Sequence, residues 1–364
     1  MIRILHNIGT LSNGGMESFI MNLYRHIDRN KVQFDFVVGH KTDLFLPYAD
    51  EILSMGGRLF FLNESVPAVV QFGRILQENP EYRIVHSHRD AMSTFFLRQA
   101  QRQGVPVRIA HSHNASETGF KKKVVTRLLR PLLNHYSTLQ LACGQEAGQH
   151  LFGGGRFKVF PNSIDISQYK YNEQISVAKR NEIGIGLDNL LIGNVGRFSQ
   201  QKNHFFILEI FERILEKNGK ARLLLVGTGQ LMTPVWNKAK EKSMLDKIIF
   251  LENRTDVNEL LQAMDIVLFP SLYEGFSMAM VEMQAAGLRI LSSDRVPKEI
   301  NVTGLVTFKG LNDSASSWAD ELLHLSQYER NSIHNELLVT AGLDVRGNAK
   351  MLQEMYIELY NANY

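Results

Sequence analysis

Apolar residues fall along this chain in short unbroken runs, separated by longer stretches where they recur every three or four positions. The runs at residues 2–5, 33–38, 58–61, 83–86, 107–110, 139–142, 190–195, 223–226, 248–251, 266–269 and 289–291 predict buried strands. Helical spacing predicts helices at residues 16–27, 44–54, 66–77, 91–103, 145–151, 175–184 and 257–264. Further helices are predicted where Leu208, Phe211, Ile214 and Leu215 share a face, from near Met278, and at about 346–360. Alternating β and α with strands apolar on both faces predicts parallel, doubly wound sheets. Ligands of such sheets bind outside the strands' carboxyl ends. The run Gly153-Gly154-Gly155 interrupts the pattern, which then begins again.

Length agrees with that restart: 364 residues are long for one core and comfortable for two α/β domains. The charge balance, 40 Lys+Arg against 37 Asp+Glu for a net +3, argues against nucleic acid as the main partner. The single cysteine, Cys143, rules out an internal disulfide and fits a reducing compartment. Residues 1–5 are too short an apolar run for a signal peptide, and nowhere are 18 or more apolar residues unbroken, which predicts a cytoplasmic protein without a spanning helix.

The chemistry concentrates in Phe269-Pro270-Ser271-Leu272-Tyr273-Glu274-Gly275-Phe276-Ser277-Met278, running on to Glu282. Here a predicted strand stops at Pro270, a loop follows, and a helix starts. Eight helical steps would separate Glu274 and Glu282 by about 12 Å, comparable to the span from sugar to ribose in a nucleotide-sugar. Gly275 permits close backbone approach, and the helix start offers free N–H groups to anions. Taken alone, the two glutamates read equally as a solvated loop residue and a helix-surface residue.

The flanking residues decide. Glu-x7-Glu after Pro270-Ser271-x-Tyr273, followed by Gln284-Ala285-Ala286-Gly287, resembles the donor-site signature of the retaining family-four glycosyltransferases. The likeness extends over nearly the whole chain, is strongest from Gly196 to Asp294, and is to the bacterial exopolysaccharide and capsule type. It implies the GT-B fold, two Rossmann-like domains facing across a cleft. Residues 1–165 would form the acceptor side, 166–345 the nucleotide-sugar side, with a linker at about 162–172 and a last helix, 346–364, packing back on the first domain. By the resemblance Glu274 lies by the transferred sugar and Glu282 holds the ribose hydroxyls, with Gly275, Phe276 and Ser277 on the donor. Arg197 and Lys202 meet the diphosphate, the backbone at Asn253 and Arg254 meets the nucleobase, and the Gly14-Gly15 pair approaches the phosphates. Three positions depart from the family's usual residues: Met16 for Ala, Ser163 for Gly and Thr228 for an acid.

Physical chemistry supports the cation pair independently. Charge builds on a diphosphate as it leaves, so fixed cations stabilise the transition state more than the ground state. Arg grips two oxygens while Lys acts as a point charge. The loop at residues 7–15 also joins a strand to a helix with glycines, but it lacks the dinucleotide fingerprint and reads equally as an ordinary turn.

Two strand ends carry one tripeptide, His86-Ser87-His88 and His111-Ser112-His113, whose histidines point to one side of each strand. They read as a metal site, as hydrogen-bonded histidines, or as active-site groups. We expect His86 and His88 to be plainly hydrogen-bonded. By the resemblance His111, with His113 second, touches the transferred sugar and acceptor, and Asn114 adds a hydrogen bond. No Asp-x-Asp motif accompanies them, so no metal and no cofactor are expected.

Residues 120–134 mix cations (Lys121, Lys122, Lys123, Arg127, Arg130) with Val124, Val125, Leu128, Leu129 and Leu132 at helical spacing. Pro131 is expected to kink or end that helix. The segment either docks peripherally on an anionic membrane or packs its apolar face on the sheet.

The reading is a metal-independent hexosyltransferase moving a sugar, with retention, from a nucleotide diphosphate, UDP by preference, to a hydroxyl of a lipid-linked glycan. The leaving phosphate taking the acceptor's proton and a covalent glycosyl intermediate both stay open. The alternatives are a nucleotide-sugar epimerase of similar architecture and a non-catalytic sugar-nucleotide-binding partner.

Overall fold

The structure, a computed structural model, describes residues 1–11, 14–39, 46, 48–113, 120–252 and 254–363, without the side chains of Phe120 and Lys121. It divides into two units, Met1–Ser163 with Asp344–Tyr364, and Ile164–Leu343.

The first unit carries β1 (Ile2–Asn7), β2 (Val32–Val38), β3 (Leu59–Phe61), β4 (Ile84–Ser87), β5 (Val107–Ser112), β6 (Leu139–Ala142) and β7 (Lys158–Val159). Among the described residues these pair in the order β3-β2-β1-β4-β5-β6-β7, every pair parallel. The second carries β8 (Leu191–Val195), β9 (Arg222–Val226), β10 (Ile248–Leu251), β11 (Ile266–Phe269), β12 (Arg289–Ser293) and β13 (Val306–Lys309). Their order is β10-β9-β8-β11-β12-β13, again parallel. Counted from its own first strand, the second sheet runs 3-2-1-4-5-6, the Rossmann order, and the first runs the same way with a seventh strand added after the sixth. Strands apolar on both faces require cover on both, and helices supply it. The first sheet lies between one cluster containing Phe19, Tyr24 and Phe34 and another containing Phe72, Phe96 and Leu133.

The Val345–Asn361 helix belongs to the first unit: Val345, Ala349, Leu352 and Tyr356 are buried beside Phe19 and Tyr24. Gln284-Ala285-Ala286-Gly287 also has a structural reason. The buried Gln284 amide donates to the Met280 and Ile300 carbonyls and accepts from Thr303. Gly287, at φ +72°, lies where a Cβ would stand 2.1 Å from the Asn331 carbonyl oxygen.

Three expectations change. β5 runs to Ser112, so His111 lies in the strand rather than beyond it. The predicted 91–103 helix divides into a 3-10 turn at Asp90–Met92 and a helix at Ser93–Arg102. Pro131 does not end its helix, which runs Phe120–Tyr136. Tertiary anchors on both sides of the proline hold the helix in place: before it Arg130 donates to the His150 and Leu151 carbonyls, and after it Leu133 is fully buried and Asn134 donates to the Phe152 carbonyl. The proposed apolar face of that helix is split. Val124, Val125, Leu128 and Leu132 are exposed, Leu128 at 71%, while Leu129 packs against the core cluster and Thr126 and Leu133 are buried. Of the 44–54 prediction the described part is the Ala49–Ser54 helix; residues 44, 45 and 47 lie outside the described ones.

Candidate active site

In the second unit β8 and β11 are neighbours, and the connections leaving them run to opposite sides in the strand order, which opens a crevice at their carboxyl ends. The loop after β8 brings Gly196 to Asn203 there, and the loop after β11 brings Pro270 to Ser277. Lys202 Nζ donates to Glu274 Oε1 at 2.7 Å, with both side chains largely buried. Gln201 donates to Glu274 Oε2 at 3.2 Å and to the Tyr273 carbonyl at 3.0 Å. The two loops are sewn together by Leu272 N to the Gln201 carbonyl and by Asn203 Nδ2 to the Pro270 carbonyl. The lysine ammonium also stands over the Phe269 ring, 4.3 Å from its centroid. The rear of the β8 loop rests on Gly227 after β9. That glycine has φ +142°, and a Cβ on it would lie 2.1 Å from the Gly196 carbonyl oxygen. Arg197 extends from the same loop, exposed and with no ion-pair partner among the described residues.

The helix after the Glu274 loop is Met278–Ala285, so helical rise applies only from Met278 to Glu282, about 6 Å. Ser277 is its N-cap without a side-chain cap bond, Gly275 is exposed, and Phe276 packs on the apolar cluster below. Glu282 keeps some exposed surface but is densely surrounded. Burial pushes its carboxyl up to about 7, against a hydrogen bond from Tyr169 that favours the charged form. Arg254 is committed elsewhere: its guanidinium pairs with Asp256 and Glu182. Only its backbone remains for a base. Asn253 and Asn114 lie outside the described residues.

In the first unit, Gly14 caps the Gly15–His26 helix, and a Cβ on Gly15 would meet nothing within 4 Å. Glu17 in the first turn accepts the Thr10 hydroxyl at 2.6 Å. A carboxylate already answers the positive helix end there. Met16 packs partly on the apolar cluster.

His86 and His88 are hydrogen-bonded as expected, but to other histidines. His6 on β1, which sequence reasoning missed, joins them. The register pairs His6 with His86 and places His88 beside His111. His6 Nδ1 meets His88 Nε2 at 3.0 Å, and His88 Nδ1 meets His113 Nε2 at 2.8 Å. His86 Nε2 meets His111 Nδ1 at 3.2 Å, and His86 Nδ1 meets the Tyr356 hydroxyl at 2.6 Å. Burial drives all five imidazoles towards neutrality. It lowers His6 to about 3 and His113 to about 4 and takes the others well below their ordinary value, with neighbouring histidines adding to it. His6, His86 and His88 have ring nitrogens within 4.8 Å of one another, as do His88, His111 and His113. The signal lay in the sequence: three predicted strands each carry a histidine at or just beyond the carboxyl end.

A separate cavity of 460 Å³ opens at the amino ends of β8 and β11, lined by Tyr171, Asp265, Tyr328 and Arg330 among others. Arg330 spends its donors on the Leu261, Gln262, Met264 and Ala286 carbonyls, which makes it a structural staple.

Two Rossmann-like units in one chain, the second with an acid–base pair at its switch point, define the GT-B class. The fold matches the crystal structure of Anabaena HepE in complex with UDP and glucose, with a TM-score of 0.79 at 17% identity over 98% of this chain and all of that one. Residues 13–168 match the description "Glycosyltransferase Family 4" and residues 189–327 "Glycosyl transferases group 1". EpsF of Bacillus subtilis (strain 168) is 35% identical over 97% of this chain and 96% of its own length. An Escherichia coli UDP-Gal:alpha-D-GlcNAc-diphosphoundecaprenol alpha-1,3-galactosyltransferase is 24% identical over 64% of this chain and 63% of its own. The chain belongs to the family-four glycosyltransferases.

Proposed function

We propose that this glycosyltransferase moves a sugar, with retained configuration, from UDP to a hydroxyl of a lipid-linked glycan in exopolysaccharide or capsule assembly. The observation that carries the reading is the Lys202–Glu274 pair at the β8/β11 crevice, with exposed Arg197 in the same loop. A diphosphate arriving there competes with Glu274 for the lysine, leaving the carboxylate to accept from sugar hydroxyls. As the anomeric carbon–oxygen bond breaks, Arg197 and Lys202 hold the growing phosphate charge. The acceptor hydroxyl bonds to the anomeric carbon from the side the phosphate leaves, and its proton passes to a β-phosphate oxygen. Side-chain cations thereby fill the role a divalent ion would have. Glu282 accepts from the ribose hydroxyls, which draws its proton off.

UDP as the nucleotude agrees with the HepE complex and with the donor named for the E. coli relative; the lipid diphosphate agrees with that relative's acceptor. The outward Val124, Val125, Leu128 and Leu132, flanked by exposed Lys122, Lys123 and Arg127, suit the surface of an anionic bilayer. Among the described residues no helix is long and apolar enough to cross a membrane.

The test is incubation of the protein with a panel of UDP-sugars and a lipid-diphosphate-linked sugar, in chelator. The expected result is a product with the donor's anomeric configuration at an undiminished rate. Inverted product or loss of turnover in chelator overturns the mechanism. Epimers formed without acceptor would establish the epimerase instead.

A further inference from the structure

Among the described residues, two influences set the Glu282 carboxyl. Burial raises it, and the Tyr169 hydroxyl, which donates to it, favours its charged form. No charged side chain enters that balance.

Tyr169 stands where it does because the short stretch around it is pinned. It follows a 3-10 turn at Ile166–Gln168, whose N-cap Asp165 accepts from Ser167 N. Gln262, a buried amide in the last turn of the Val257–Ala263 helix, fixes the course from there. Gln262 Nε2 donates to the Tyr169 carbonyl at 3.0 Å, and Gln262 Oε1 accepts from Asn172 N at 3.0 Å. One side chain thus holds both ends of residues 169–172. Between them, Tyr171 N donates to Ser332 Oγ at 2.9 Å, and the Tyr171 ring lies under the Arg330 guanidinium, whose carbon is 4.3 Å from the ring centroid.

Arg330 closes the frame. It donates to the Leu261, Gln262 and Met264 carbonyls, at the end of the helix that carries Gln262. It also donates, at 2.7 Å, to the carbonyl of Ala286, the C-cap of the Met278–Ala285 helix that carries Glu282. Removing a guanidinium from water is costly, and burial lowers Arg330 to about 10. The four carbonyls offset that cost, and they tie the Tyr169 stretch and the Glu282 helix to one point. The phenol and the carboxyl it meets are therefore fixed relative to each other. Every residue of this frame lies in the unit Ile164–Leu343. A carboxylate has two accepting oxygens. With the phenol on one of them, the group stops rotating and the other is left for a second donor.

We propose that Tyr169 is a positioning residue for the nucleotide: held by Gln262 and Arg330, its hydroxyl takes one oxygen of Glu282 and keeps the other turned for a ribose hydroxyl. The ribose rests on the transferase reading, whereas the coupling of Tyr169 to Glu282 does not. The bond becomes charge-assisted once Glu282 ionises, so it strengthens as the ribose draws the proton off.

The experiment is calorimetric binding of UDP and of 2′,3′-dideoxy-UDP to the full chain between pH 6 and pH 9, wild type and Tyr169→Phe, beside thermal unfolding without nucleotide. The substitution removes the hydroxyl and keeps the ring that packs on the apolar cluster. Losing a donor to a charged group moves the Glu282 midpoint up by about one pH unit. Tyr169→Phe should therefore weaken UDP binding about tenfold at pH 6 and less than about threefold at pH 9. Dideoxy-UDP, which lacks the ribose hydroxyls, should bind both proteins alike. Equal losses for the two nucleotides, or a loss that does not change with pH, would mean that Tyr169 only packs. Without nucleotide, the Tm difference between the two proteins should widen from pH 6 to pH 8.5, because the variant's native Glu282 must ionise without its donor. In a Glu282→Gln background that widening should vanish. A constant difference, or one that widens equally in the Gln background, would overturn the coupling. If UDP binds neither protein, the transferase reading fails and the unfolding curves still decide the coupling.

Discussion

The first βα loops of the two units stand at equivalent places and carry opposite chemistry. In the first unit the loop after β1 leads to a helix whose opening turn holds Glu17, bonded to Thr10. In the second the loop after β8 presents Arg197 and Lys202, the lysine held on Glu274 from the next connection. One topology, 3-2-1-4-5-6, thus brings side chains together at both switch points. In the first these are neutral imidazoles, and in the second an ion pair beside a carboxyl raised to about 7. Topology decides where a site stands, and residue type decides what it can bind. A diphosphate suits the second set of side chains, while uncharged sugar oxygens suit the first.

The comparison breaks most sharply at Lys202. If Lys202 acts chiefly on the leaving phosphate, as proposed, Lys202→Ala should lower turnover about 10²–10³-fold with a much smaller loss of donor binding. Equal losses in kcat and binding would reduce the lysine to a ground-state anchor.

The second difference is the sign of the pH dependence. The buried histidines titrate below their unfolded value of about 6.5, His6 at about 3 and His113 at about 4. Within that window the unfolded chain binds protons that the native one refuses, so stability falls as pH drops below 6.5. The slope is about 1.4 kcal/mol per pH unit for each fully buried imidazole. Glu282 runs the other way. Its native carboxyl keeps a proton up to about 7, whereas the unfolded one loses it near 4.5, so its contribution weakens as pH rises across that interval. Hydrogen exchange at pH 5.5 against 7.5 should therefore show the first unit loosening in acid ahead of the second. Uniform protection in both would contradict it.

Third, under the proposed role of Glu282 in holding the ribose, whose hydroxyls would favour its charged form, donor affinity should fall as pH drops below 7 and binding should release a proton. Glu282→Gln should weaken UDP binding about tenfold and flatten that pH dependence. Calorimetry in buffers of different ionisation heat reads both; an unchanged proton count in the variant would sink the assignment.

The smallest effect concerns the outward helix. Leu128→Glu should reduce binding to anionic vesicles by about fivefold or more and leave transfer to a water-soluble acceptor untouched. Wild-type indifference to vesicles would remove the membrane from the picture.

Much was legible in the sequence alone. Two-faced apolar runs announced parallel sheets, and the spacing from Pro270 to Gly287 announced the family. Those signals are local: a strand's two faces and a turn's glycine are set by neighbours in sequence. The pairing of Lys202 with Glu274 spans 72 residues and was not legible, because the family pattern gave each a ligand and neither a partner. The outward face of the Phe120–Tyr136 helix was equally hidden. Periodicity marks an apolar stripe without saying which part of it meets the sheet, and here Thr126, Leu129 and Leu133 took the inward side.

By itself, then, the sequence determined the alternation of elements, the family and the identities of the side chains at the strand ends. Tertiary structure alone decided that His6, His86, His88, His111 and His113 become two stacked chains and that one of them ends on a tyrosine from the far end of the polypeptide. The physical reason is register. Parallel pairing of β1, β4 and β5 sets which histidines stand side by side, and burial then leaves them neutral and bonded chiefly to one another.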